Sequence, residues 1–337
     1  MKKLAVAAAL TLCAFSATAS NFRGADQVYI PAAGNFQGAT ARFVSDVYLA
    51  NLETDVDVDV SVIFQQLGQG GGQGTEFKNI ITLKAGERKE YKNFLKDVLG
   101  LNAGNEFGQL IFNACLKGAS CGPETQDEDG YSPNFKNITA TSRIYSFPTA
   151  AGADQRLTTG QLFTGIPWYH FVSSLQANNG LDKVFIQGLR QTGSPGTPGT
   201  FRSNIGLINA SQYSRSTLVV TLYQGTMAQA DQKGTFEITL EPLGSVQGSF
   251  GSMFPGVTGE NFFAVVEQRN PEPVGVVPPT CVQGCPAFLT YGSVLDNATG
   301  DATTLEAMYL KPLSDSAIIV IYPGSSGKAS ARRSVRH

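Results

Sequence analysis

SDVYLAN, Ser45 to Asn51, leads through a short polar turn into VDVDVSVIF, Val56 to Phe64, and the pair returns as SNIGLIN, Ser203 to Asn209, and STLVVTLYQ, Ser216 to Gln224. In each copy apolar and polar residues alternate with a period of two, which places one face of the segment in a core and the other in water. The surroundings repeat in the same order. VYIPAAG (Val28 to Gly34) precedes the first pair and VFIQGLR (Val184 to Arg190) the second, at an offset of about 156 to 158 residues. IITLKAGE from Ile80 matches EITLEPLG from Glu237, and each runs into a short stretch, YKNFLKDVLG or GSFGSMFPG, suited to a single helical turn. FGQLIFNAC and FFAVVEQ follow, then a closely spaced cysteine pair, then TATSRIYSF (Thr139 to Phe147) and FLTYGSVLD (Phe288 to Asp296). Repetition at a fixed period marks an internal duplication, with each copy near an ordinary domain size.

No long helix is available to carry the chain between parallel strands, so the expected fold class is all-β, two tandem antiparallel β-sandwich domains. Their cores should take Val47, Leu49, Val58, Val60, Val62 and Phe64, and Leu207, Leu218, Val220 and Leu222. Composition agrees. Of 337 residues only 15% are charged, while 37 glycines and 16 prolines supply turns. That balance argues against a nucleic-acid binder, and no apolar run reaches the roughly 18 residues of a membrane span. The strand pattern SDVYLAN followed by a Val-rich strand resembles the immunoglobulin-like and fibronectin-like modules found in tandem in secreted bacterial proteins. That resemblance implies a module for binding, spacing or surface display.

Residues 1–19 read as a signal peptide: Lys2 and Lys3, an apolar stretch, then Ala17-Thr18-Ala19 as the cleavage site. Leu12 before Cys13 is too large for a lipoprotein signal, so a secreted, periplasmic or cell-surface protein beginning near Ser20 is expected. The rest divides into 20–165, an inter-domain segment 166–182, a second domain 183–323 and a basic tail 324–337 with Lys328, Arg332, Arg333 and Arg336. The first body holds 12 bases against 16 acids over 21–165, and the second 7 against 11 over 166–327. In an oxidising compartment Cys115, Cys121, Cys281 and Cys285 should pair, and the short spacings favour Cys115 with Cys121 and Cys281 with Cys285.

The candidates for chemistry are few. His170 is one of only two histidines and sits in GIPWYHF beside the single tryptophan; Trp168, Tyr169 and Phe171 either pack between the domains or form a ligand platform. Asp55, Asp57 and Asp59, taken as one face of a strand, form an acidic row that either nearby lysines such as Lys78 and Lys84 or calcium would neutralise. Asp127 and Asp129, grouped with Glu124 and Glu128, are a second acidic cluster with the same alternatives. Calcium is the only cofactor this set suggests. GQGGGQG, Gly68 to Gly74, lacks the residues of a phosphate loop and reads as a mobile hairpin connection. SAIIVIYP, Ser316 to Pro323, is a flat strand that either completes a sheet or pairs with another subunit. A non-catalytic adhesive or structural role is the leading expectation, with an extracellular protein, a polysaccharide or a second copy of the chain as partner. A carbohydrate-binding protein is the alternative, and a polysaccharide hydrolase or lyase follows it.

Overall fold

The computed structural model describes residues 24–38, 41–126, 131–149, 154, 158–175, 182–226, 229–275 and 286–309. The signal segment, Asp127, Asp129, Cys281, Cys285, the strand expected at Ser316–Pro323 and the basic tail lie outside these residues.

The alternating segments form antiparallel strands. In the first half these are β1 (Gln27–Gln37), β2 (Ala41–Asn51), β3 (Val58–Leu67), β4 (Gln73–Leu83), β5 (Arg88–Tyr91), β6 (Asn105–Leu116), β7 (Ile138–Pro148), β8 (Thr159–Thr164) and β9 (Ile166–Pro167). The second half has β10 (Lys183–Gln191), β11 (Phe201–Asn209), β12 (Ser214–Thr226), β13 (Gln229–Leu240), β14 (Ser245–Ser249), β15 (Gly259–Pro273), β16 (Phe288–Asp296), β17 (Ala302–Glu306) and β18 (Met308–Tyr309). Single helical turns, α1 (Phe94–Asp97) and α2 (Phe250–Met253), fall where the sequence places them. Among the described residues no helix is long and apolar enough to cross a membrane.

The second half is two facing sheets, ordered β13-β12-β15-β10-β18 and β14-β11-β16-β17. The first half has the same two layers, β4-β3-β6-β1-β9 and β5-β2-β7-β8, joined into one nine-stranded sheet by pairing between β1 and β2 at Asn35–Val44 and the two adjacent positions. The halves therefore share one strand order throughout. Inward residues Val58, Val60, Val62 and Phe64 of β3, with Val47 and Leu49 of β2, are buried, as are Leu218, Val220 and Leu222 of β12 and Leu207 of β11.

Polar residues in the repeated motifs hold this order together. Ser45 Oγ accepts the Gly34 N–H at 2.7 Å, and Ser203 Oγ accepts that of Arg190 at 2.9 Å, each satisfying the strand that crosses between layers. Asn51, at the end of β2, donates to the Val56 and Lys84 carbonyls, tying together the two loops beside it. Asn209, fully buried at the end of β11, does the same with Ser214, Leu240 and Glu241. β1 slips register between Ile30 and Ala33, and β10 slips between Gln187 and Leu189 at the corresponding place.

Two expectations need correction. β3 begins at Val58, so Asp55 and Asp57 belong to the preceding turn and only Asp59 lies on the strand. The Glu53–Val56 stretch turns the chain between layers and takes Asp55 out of the row, while Asp57 and Asp59 both reach the Lys117–Gly118 turn. GQGGGQG does connect β3 to β4, but it is docked rather than loose. Gly71 is buried, and its carbonyl accepts the Glu241 N–H of the second half at 3.1 Å.

The halves also share a core. Ile208, Ala210, Leu243, Leu289 and Tyr291 of the second half belong to the same buried cluster as Tyr29, Ile111 and Phe112 of the first. A Cβ on Gly71 would stand 2.7 Å from Leu240 Cδ2 and 2.9 Å from the Thr239 carbonyl, at a φ of +85°. At neighbouring Gly70, φ is +59° and the space is open. Gly71→Ala should therefore cost roughly 3 kcal/mol and Gly70→Ala about 1 kcal/mol, compared by urea unfolding. In the same assay Asn209→Ala should cost about 3 kcal/mol, since it strands three carbonyls, and Asn51→Ala about 2 kcal/mol.

Candidate functional site

On β2 the alternation that buries Val47 and Leu49 turns Asp46 and Tyr48 outward, onto the outer face of the β5-β2-β7-β8 layer. Tyr48 lies between Glu90 of β5 and Thr141 of β7, and its ring is 39% exposed. Asp46 stands opposite Arg143 of β7 and is almost completely covered. Its cover comes from the turn before α1: Asn93 holds a left-handed backbone (φ 42°, ψ 53°) and donates its N–H to Asp46 Oδ1 at 2.9 Å. The Arg143 guanidinium sits 4.9 Å from the centre of the Tyr145 ring and donates to Thr158 Oγ1 at 3.3 Å. Burial, then the negative field of Asp46, pushes the Tyr145 phenol above its ordinary pKa; burial and the hydrogen bond with Glu90 do the same at Tyr48. Both phenols stay protonated at neutral pH and donate to these carboxylates, Tyr48 to Glu90 and Tyr145 to Asp46.

Leu162 of β8, opposite Arg143, is 50% exposed and extends this face. The result is an open platform combining aromatic rings, a guanidinium and carboxylates, suited to stacking and hydrogen bonding rather than to enclosing a small molecule. A crevice between the halves, lined by Pro31, Leu67, Phe107, Ile208 and Tyr291 among others, has room for no more than a water.

The aromatic segment lies elsewhere. Trp168, Tyr169 and His170 form one 3-10 turn, followed by Phe171, and all four are half-buried. Trp168 Nε1 donates to Asp26 Oδ1 at 2.8 Å, Tyr169 Oη donates to the Gly24 carbonyl at 3.1 Å, and Phe171 meets Tyr29 edge-on at 4.7 Å. The His170 carbonyl accepts the Tyr309 hydroxyl at 2.8 Å. These contacts make a clasp that ties the start of β1 to the end of the second half.

Asp57 and Asp59 meet at the Lys117–Gly118 turn without gathering a third acidic side chain among the described residues. Asp57 accepts the Ala85 N–H at 3.1 Å and pairs with Lys117 at 3.2 Å, contacts that lower its pKa in that order. Asp59 accepts from Thr82 Oγ1 at 2.6 Å and from the Gly118 N–H at 3.0 Å, while Asp55 stays on the exposed turn. Lys117, not Lys78, supplies the ion pair, because Lys78 is held by Glu76 at 2.7 Å. Among the described residues no group of three or more His, Cys, Asp or Glu side chains could hold a metal ion. Cys115 and Cys121 form a disulfide, as their spacing suggests. Glu124, beside it, accepts a hydrogen bond from the Ser120 hydroxyl.

Sequence reasoning passed over Tyr48, Asp46, Arg143 and Tyr145. The signal was present in the outward half of SDVYLAN and TATSRIYSF, but only the register of β2 on β7 shows that the outward residues meet.

No protein-family model matches this chain. No curated protein matches it significantly either.

Asp26 offers a test of the clasp. Burial raises its pKa above 3.8, partly offset by the Trp168 hydrogen bond. The charged form is thus disfavoured in the folded state, and the stability of the neutral form is present below about pH 3.8 and lost as pH rises through the folded value. Asp26→Asn, which keeps an acceptor for Trp168, should raise the Tm at about pH 7 and leave it unchanged near pH 3. Equal effects at both pH values would show that the carboxylate charge carries no penalty there.

Proposed function

We propose that this chain is an exported, non-catalytic protein that works through the faces of its sheets, in adhesion, matrix structure or protein contact. The observation that carries the reading is the outer face of β5-β2-β7-β8, where Tyr48 and Leu162 are exposed beside Arg143 and Tyr145. A wide face of this kind recognises another surface, whereas catalysis on a small molecule favours a cleft with converging groups. The signal-like residues 1–19 and the Cys115–Cys121 disulfide support export, and the shared strand order of the halves supports their origin by duplication. Carbohydrate is the second reading, favoured by Tyr48 and Tyr145 as stacking rings near acidic hydrogen-bond partners.

The test is depletion of the chain Ser20–His337 from solution by cells, cell walls and insoluble polysaccharides, run beside Tyr48→Ala and Arg143→Ala. Retention on cells or on a protein of the envelope, reduced at least fivefold by either substitution, is the expected outcome. Retention by one glycan with the same sensitivity selects the carbohydrate reading. Release of reducing sugars from any of these materials would overturn the non-catalytic assignment.

A further inference from the structure

In the first half the outer face of β3-β6-β1 is covered from two sources. The second half lies beside Tyr29, Gln109 and Ile111: Gln109 Nε2 donates to the Leu243 carbonyl at 2.9 Å, and Tyr29 Oη to that of Ala210 at 3.4 Å. Next to it, the chain leaving β9 turns back on the same face. Phe171 meets the Tyr29 ring edge-on at 4.7 Å, and Trp168 and Tyr169 pack against the same core.

The second half carries the matching face on β12-β15-β10, and register identifies its residues. Phe185 opposes Val265 as Tyr29 opposes Ile111, and Tyr223 opposes Phe263 as Gln65 opposes Gln109. The two side chains that donate across the seam, Gln109 and Tyr29, are thus replaced by Phe263 and Phe185, which have no polar atom to offer. Tyr223 and Phe263 stack with ring centres 5.2 Å apart. Charge is confined to one end of the face, where Glu267 binds Lys183 at 2.6 Å and also Arg269. Among the described residues Phe185, Tyr223 and Val265 stay part-exposed. A contiguous apolar strip of this kind marks a contact, and with no donors at its centre it suits an apolar occupant.

The chain itself leads to this place. β18 pairs with β10 through the same two positions by which β9 pairs with β1: Met308 with Phe185 and Tyr309 with Val184, against Ile166 with Tyr29 and Pro167 with Val28. Counted on from there, Leu310 and Leu313 stand where Trp168 and Phe171 do. After Asp315 comes SAIIVIYP, Ser316 to Pro323, which carries no charge. In the order β18-β10-β15-β12, neighbouring strands lie about 4.8 Å apart, so β12 is about 15 Å from β18. Leu310 to Asp315 can span about 20 Å when extended, enough to bring the apolar stretch to Tyr223.

We infer that residues 310–323 of this chain cover the outer face of β12-β15-β10. Leu313 lies on Phe185 as Phe171 lies on Tyr29, and Ser316 to Pro323 shield Val265, Phe263 and Tyr223. The docked segment withdraws the aromatic face of the second half from other partners and leaves the Tyr48 face of the first half open to them.

The test places p-benzoylphenylalanine at position 223 of Ser20–His337, irradiates the protein at low micromolar concentration and maps the product by mass spectrometry. The expected product has the mass of one chain and joins position 223 to residues 312–323. Ile319→Glu combined with Ile321→Glu should lower its yield roughly fivefold or more. The same label at position 48 should give no link to that segment. Should the chain labelled at 223 fold poorly, a label at position 185 reads the same face. A product of twice the chain mass, a link from 223 to another segment only, no link from either 223 or 185, an equal link from position 48, or a yield that survives the two glutamates overturns the inference.

Discussion

The seam between the halves is the contact on which the rest of the molecule depends, and Leu243 shows its hold on the backbone. Leu243 has φ 56°, a left-handed conformation that costs an L-residue about 1–2 kcal/mol. At the equivalent place in the first half stands Gly86, φ 65°, for which that conformation is nearly free. A leucine survives at the strained position because its side chain is buried in the first half's core and its carbonyl receives Gln109. Burying a leucine is worth about 1.5–3 kcal/mol, enough to offset the strain. Gly71 and Gly244 make a close backbone approach at the same seam, where side chains would hold the halves apart.

Much of the architecture was legible because strand alternation is a local property. The inward valines of β3 and leucines of β12 are readable from period alone, and the short helical turns and the Cys115–Cys121 disulfide follow from spacing. Ser45 with Ser203 and Asn51 with Asn209 could be recognised as repeated. Their work could not: each bonds to backbone groups in other elements, and that depends on how the layers cross.

What stayed hidden was everything set by long-range packing. GQGGGQG is flexible in composition, yet the second half supplies partners that hold it, and no local rule encodes them. The valine-aspartate alternation suggests a strand beginning two residues before β3, because a polar turn that happens to alternate has the same period. The aromatic residues of GIPWYHF are prominent in sequence and serve as a clasp, while Tyr48, one residue from the buried Val47, is the ring left outward.

The positions at which the halves differ carry the most information. Core positions need only be apolar and of suitable volume, so Val60 and Leu218, or Leu49 and Leu207, interchange with little consequence. Outward positions answer to whatever covers them. Gly206 must be small because the Tyr291 ring lies across it, pressed there by the first half; at the matching site in the first half the tyrosine is on the other strand and reaches solvent. Gln65 and Gln109, covered by the second half, correspond to the stacked Tyr223 and Phe263. A module adapted only to fill one intramolecular seam would be expected to lose apolar character on its outer faces. The β12-β15 face keeps it in Tyr223 and Phe263, whereas on the β2-β7 face Ala50 and Thr139 stand where Ile208 and Leu289 meet in the seam.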